Sequence, residues 1–99
     1  MARFLIYRNP DAEGYLLDVQ ANILDHLNTR VVVPLLPLAA APRPAATLNP
    51  VFNIAGNAMV MATQFMAAVP TSLLKLPAGS LESSRDEITA AMDFLLQGF

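Results

Sequence analysis

The chain has 99 residues, 55% of them apolar and 14% charged, with a formal charge of −2 and no cysteine. That length sets one domain, residues 1–99, which buries about two thirds of its unfolded surface. Disulfides and thiolate chemistry are excluded, and so is the basic field that unaided nucleic-acid binding needs.

So much apolar surface against so little charge predicts an interface between protomers, and a homodimer is the commonest form. The apolar stretch around Phe4-Leu5-Ile6 is too short for a signal peptide. The oiliest run, residues 31–42, is broken by Pro34 and Pro37 and falls short of the roughly 20 residues of a membrane helix. A cytoplasmic protein with no membrane contact is the expectation.

Residues 4–8 read as a first strand, closed by the turn signal Asn9-Pro10-Asp11 and by Gly14. Residues 15–20 read as a second strand, paired with the first as a hairpin. Asp25-His26-Leu27-Asn28 has loop composition. Arg30-Val31-Val32-Val33 returns to strand because β-branched side chains favour the extended backbone. Pro34 and Pro37 are expected to end this strand or to hold it at an edge.

Residues 34–50, with their Ala-Pro texture and prolines at 42 and 44, give no period and read as a long mobile loop. Residues 51–54 predict a short strand, Gly56-Asn57 a tight turn, and residues 58–63 its hairpin partner. Met59 and Met61 share one face of that partner; Ala58, Val60 and Ala62 share the other. Both faces are apolar, so the strand is sandwiched or lies at a contact between protomers. Residues 69–74 read as a further strand interrupted at Pro70, and Pro77-Ala78-Gly79-Ser80 as a turn.

The closing segment is a helix. Ser84 followed by Glu87 predicts a capping box, and Asp86 and Glu87 suit the positive end of the helix dipole. Ile88, Ala91, Met92, Leu95 and Leu96 recur as one apolar stripe, with Asp86, Ala90, Asp93 and Gln97 opposite. Phe94 falls outside the stripe and calls for a second contact surface. Strands followed by one helix make the fold α+β, an antiparallel sheet with a C-terminal helix. The apolar end at Leu96 and Phe99 is either tucked under its own domain or presented to a partner.

Candidate chemistry is sparse. His26 beside Asp25 has the makings of a general base, but adjacent residues in a polar loop more often face water. A single histidine with no cysteine gives no transition-metal site, and no cofactor motif is present. Asp18 interrupts an apolar strand: it faces outward, or it caps neighbouring backbone or pairs with an arginine. Arg3, Arg8, Arg30, Arg43 and Arg85 are scattered among eight acids and read as solvated or ion-paired surface. From the residues alone the chain is a small non-enzymatic α+β domain, with no catalytic residue and no metal.

Five segments, in order, resemble a known family. Leu17-Asp18-Val19-Gln20 with Ile23-Leu24-Asp25 is similar to its "VDVQ…IID" stretch, and Arg30-Val31-Val32-Val33-Pro34-Leu35 to its "R-x-V-I-P-L" strand. Leu48-Asn49-Pro50-Val51-Phe52-Asn53-Ile54 resembles "L-x-P-x-x-x-I", and residues 61–70 resemble "M-x-T-x-x-M-A-S-V-P". Residues 85–99 resemble the closing helix and its short apolar end. The family is that of the CcdB toxins of toxin–antitoxin systems.

The resemblance implies an SH3-like barrel with a C-terminal helix, and a homodimer in the bacterial cytoplasm. It implies a protein that poisons DNA gyrase by binding the breakage–reunion domain and trapping the cleaved-DNA complex. The implied gyrase contact is Gln97, Gly98 and Phe99, then Asp93 and Leu96, and further Ile23 and Leu24. It also implies neutralisation by a cognate, CcdA-like antitoxin, co-repression of the operon as a transcription repressor with that antitoxin, and a place in plasmid maintenance. The best-known family members end Trp-Gly-Ile, whereas this chain ends Gln97-Gly98-Phe99. An amide in place of the aromatic removes stacking area worth about 2 kcal/mol at such a contact. The Ala-Pro loop is less charged than usual, so antitoxin recognition there is expected to differ. Two alternatives stand beside this reading. One is an endoribonuclease toxin of the same fold using Asp25, His26 and Arg30; the other is a non-toxic homologue that keeps antitoxin binding and co-repression.

Overall fold

The structure, a computed structural model, describes residues 2–41 and 43–98. Strands β1 (Leu5–Arg8), β2 (Tyr15–Asp18), β3 (Thr29–Pro37), β4 (Val51–Ile54), β5 (Asn57–Met61), β6 (Ala67–Pro70) and β7 (Pro77–Ser80) precede helix α1 (Arg85–Gln97). The strands form one antiparallel sheet in the order β4-β5-β3-β2-β1-β7, with β6 also paired to β3. The sheet curls into a half-barrel and α1 packs on it, so the predicted α+β class holds.

β3 corrects the reading of the prolines. It is the central and longest strand, and it runs through Pro34 to Pro37. Opposite β2, its other edge pairs with β6 over residues 29–32 and with β5 over residues 35–37. Pro34 sits in the gap between those two partners, and its carbonyl accepts a hydrogen bond from the Ala62 amide at 2.9 Å. The N–H and C=O of a strand residue point the same way. The donor that Pro34 lacks is therefore missing from the changeover point and not from the ladder with β2. Composition alone could not show where that gap falls.

Other boundaries shift as well. The β4–β5 hairpin turns on Ala55-Gly56, both at positive φ (53° and 83°), one residue earlier than expected; that is the type I′ pattern, whose twist matches a two-residue hairpin. Residues 77–80 are an edge strand on β1, with a register shift at Ile6/Tyr7, and not a turn. Beyond Pro70, residues 71–73 form a 3-10 turn and not strand. Residues 38–40 form another 3-10 turn. The loop that follows is fastened by buried Asn49, whose Nδ2 donates to the Met61 carbonyl (3.0 Å) and to Gln64 Oε1 (2.8 Å).

Strand alternation sorts the core. On the helix side, Ile6, Leu17, Val33, Leu35 and Met61 pack with Ile88 and Ala91 of α1. On the other face, Tyr7, Leu16 and Val32 pack with Leu74. Both sides of β5 are buried at Met59, Val60 and Met61, as its two apolar faces suggested. Gly14 closes the β1–β2 hairpin at φ 105°, and a Cβ there would collide with the Leu35 carbonyl oxygen, so no side chain fits.

The helix begins where predicted, but Ser84 makes no side-chain capping bond. Ser84 instead ends a 3-10 turn over Glu82–Ser84, its amide donating to the Leu81 carbonyl. Ile88 and Ala91 are buried, whereas Leu96 is 68% exposed and so leaves the predicted core stripe.

Candidate functional site

Asp93, Leu96, Gln97 and Gly98 lie on the last turns of α1. Gln97 and Gly98 are exposed, as are Asp93 and the strongly exposed Leu96. Phe99, predicted with them, lies outside the described residues. Gly98 closes the helix in the left-handed region (φ 81°, ψ 14°), its N–H donating to the Phe94 carbonyl at 3.0 Å. That is the usual αL ending, which satisfies one orphan carbonyl and turns the chain away from the helix axis. Phe94 is 40% exposed and Leu96 more so, so of the two expectations for the helix end, the described residues show apolar side chains offered to solvent.

Ile23 and Leu24 belong to a separate element, the segment between β2 and β3. They lie in a 3-10 turn over Asn22–Leu24 with no buried residue, and Ile23 is 84% exposed. Arg3 stands between the two neighbourhoods. Its backbone N–H donates to Asn22 Oδ1 at 2.8 Å and its Nε to the Val19 carbonyl at 3.1 Å. Its side chain also lines a shallow groove of about 400 Å³ with Phe4, Arg85, Thr89 and Asp93. In the sequence Arg3 is only one scattered arginine; its reach to both Asn22 and the Asp93 side of α1 is visible only in three dimensions.

A wider groove of about 1080 Å³ lies between the β1–β2 turn, residues 37–39 and the β4–β5 turn. Among the described residues, none of the predicted contact residues lines it. It is broad and mixed in character, with Arg8, Glu13, Leu38 and Met59 among its walls, and no cluster of titratable groups converges on it.

Behind the Ile23–Leu24 segment is a buried polar network. Asp18 and Arg30 are both fully buried, and Arg30 donates to Asp18 twice, Nε to Oδ2 at 2.8 Å and Nη2 to Oδ1 at 2.9 Å. Arg30 Nη1 donates to Asp25 Oδ1 at 2.6 Å, and Nη2 also to the Gln20 carbonyl at 3.3 Å. Asp18 therefore does not face outward: it pairs with an arginine and also accepts from the Gln20 backbone amide at 3.0 Å, and Arg30 is ion-paired but not on the surface. Asp18 stands opposite Val32 in the ladder, which makes Arg30 its diagonal cross-strand neighbour on the same face.

Burial works against the charge on Arg30, but the hydrogen bond and charge of Asp18, followed by those of Asp25, outweigh it and raise its pKa. Nearby Tyr7 has its pKa raised by burial and by the Asp18 charge, with Arg30 opposing. His26 is exposed in the adjoining loop. No grouping of three or more metal-ligating side chains exists among the described residues. Among those same residues, no helix is long and apolar enough to cross a membrane.

Comparisons with known proteins agree with this architecture. A solved structure described as an endoribonuclease in complex with its cognate antitoxin, from Mycobacterial species, superposes with a TM-score of 0.75. It shares 17% identity over 97% of this chain and 94% of its own, a level of likeness that speaks for the fold. No curated protein matches the sequence. The family model described as CcdB protein matches residues 3–98. With the resembling segments, the curled sheet and the closing helix all within that span, the chain belongs to the CcdB family of toxin–antitoxin toxins.

Proposed function

We propose that this toxin acts by binding and not by catalysis, that its target is the breakage–reunion domain of DNA gyrase, and that it traps the cleaved-DNA complex until a cognate antitoxin removes it. The observation that carries this reading is the exposed end of α1, where Phe94, Leu96, Gln97 and a left-handed Gly98 stand clear of the core in a chain of this family. Buried apolar anchors dominate protein–protein affinity, and an exposed Leu96 and Phe94 supply that kind of surface. A homodimer presents two such ends about one axis, which suits a target that is itself two-fold. The antitoxin partner is supported by the family and by the antitoxin-bound state of the similar structure.

The endoribonuclease reading is not favoured. It asks Arg30 to stabilise a phosphate, but that side chain has no exposed surface and its nitrogens are already committed to Asp18, Asp25 and Gln20. Asp25, the second member of that set, is engaged by the same arginine.

The test is a gyrase reaction on supercoiled plasmid with purified protein. Linear, gyrase-linked DNA should accumulate, and a cognate antitoxin peptide should reverse it. Unimpaired supercoiling with no trapped cleavage, alongside tight antitoxin binding, would instead identify a non-toxic homologue. Specific RNA fragments lost in a His26→Ala variant would restore the nuclease reading.

A further inference from the structure

The segment bearing Ile23 and Leu24 has no fully buried apolar residue. Every residue from 21 to 29 is exposed, Leu24 and Leu27 at 41% each, so hydrophobic burial supplies only part of what shapes it. Its own backbone bonds are three short turns: Leu24 to Ala21, Asp25 to Asn22 and Leu27 to Leu24.

Its ends are tethered from the side, by the Arg3 N–H donating to Asn22 Oδ1 at 2.8 Å and the Thr71 amide donating to the Asn28 carbonyl at 3.0 Å, and its middle is held from beneath. Gln20, buried at the end of β2, donates from one Nε2 to the carbonyls of Leu24 and Thr29, both at 3.2 Å, while its Oε1 accepts from the Val31 amide at 3.0 Å. One side chain thus ties the middle of the segment to its far end. Asp18 Oδ1 accepts from the Gln20 amide at 3.0 Å, and Arg30, held by Asp18, reaches out to Asp25. Asp18, Gln20 and Arg30 thus close a ring of hydrogen bonds, and Arg30 extends from it to Asp25, with Ile23 and Leu24 on the outer side.

A buried ion pair is weak evidence for stability, because desolvation offsets most of its Coulomb energy. What a fully satisfied polar ring supplies is a single geometry. We infer that Gln20, Arg30 and Asp25 are positioning residues that hold Ile23 and Leu24 in the conformation the target recognises. The inference rests on the gyrase reading above. Asp25 is the accessible handle on it: it lies on the solvent side of the ring, so its removal leaves the Asp18–Arg30 pair inside intact.

The experiment combines two readouts on the full-length protein. Amide hydrogen exchange follows Leu24, Asp25 and Leu27, and titration follows affinity for the gyrase breakage–reunion domain. In Asp25→Ala the amides of the segment should exchange about tenfold faster while β3 and α1 are unchanged, a local opening and not a global one. Affinity should fall about tenfold, within the range for coupled neighbours. That loss should vanish when Asp25→Ala is made in an Ile23→Ala background, and Asp25→Asn, which keeps the acceptor oxygen, should restore most of it.

Unchanged exchange in Asp25→Ala overturns the inference. So does an equal affinity loss with and without Ile23, which would make Asp25 a direct contact. If the unmodified protein fails to bind gyrase, the functional reading fails instead, and the exchange result still decides whether the ring sets the loop.

Discussion

Asp18 and Arg30 form a doubly hydrogen-bonded ion pair at 2.8 and 2.9 Å with no exposed side-chain surface on either partner. Removing Arg30 strands the Asp18 charge in the interior, which costs about 3–5 kcal/mol, whereas removing Asp18 leaves Arg30 its bond to Asp25. Arg30→Ala should lose about that much in urea denaturation, and Asp18→Ala less. A joint Asp18→Leu/Arg30→Met replacement should lose less than either, since it buries no lone charge. If the joint variant is the least stable of the three, the pair contributes net stability of its own, contrary to this expectation.

Tyr7, close to this pair, sets an alkaline limit mainly through its burial. Burial and the Asp18 charge raise the pKa of Tyr7 above its ordinary value of 10.0. The folded state keeps this proton at pH values where the unfolded state releases it. The stability it contributes is whole below about pH 10 and falls as pH rises from there toward the raised folded value. Tyr7→Phe keeps the packing but has no proton to lose. The stability gap between the two proteins should therefore change above pH 10 and be flat between pH 7 and 9, as read by urea titrations across that range.

At Gly14 the backbone is left-handed and a Cβ would collide with the Leu35 carbonyl. Gly14→Ala should be destabilising by about 2 kcal/mol or more, because strain and a backbone clash add. Gly98 has an αL backbone too but nothing within 4 Å of an added Cβ. Gly98→Ala should cost about 1 kcal/mol, from conformation alone. Thermal melts of the two variants measured together check the ordering.

The architecture was legible wherever a local signal decided it. The β1–β2 hairpin, the strand at Val31-Val32-Val33, the β4–β5 pair and the helix at Ile88 and Ala91 all followed from alternation or period. Pro34 misled because its tolerance depends on which neighbouring strand faces it, a long-range fact. Pro77 to Ser80 looked like a turn for the same reason: its residues suit an edge strand only once β1 is known to lie beside it. The capping box failed because a 3-10 turn at Glu82–Ser84 feeds straight into the helix.

Of the site, Gln97 and Gly98 came from family resemblance and Leu96 was first read as core. The ring behind Ile23 was half visible. An acid inside an apolar strand and an arginine leading a β-branched run were both noted, but nothing in the sequence joined them across the ladder.

In the proposed function, the exposed end of α1 is the surface that docks on DNA gyrase. Calorimetric titration of the full chain and of a form lacking residues 97–99 against the purified breakage–reunion domain tests it most directly, with melting temperature as a control for folding. Saturable binding by the full chain and none by the truncated form is the predicted result, with both melting alike. Equal binding by the two forms, or no binding by an intact and folded full chain, would contradict it.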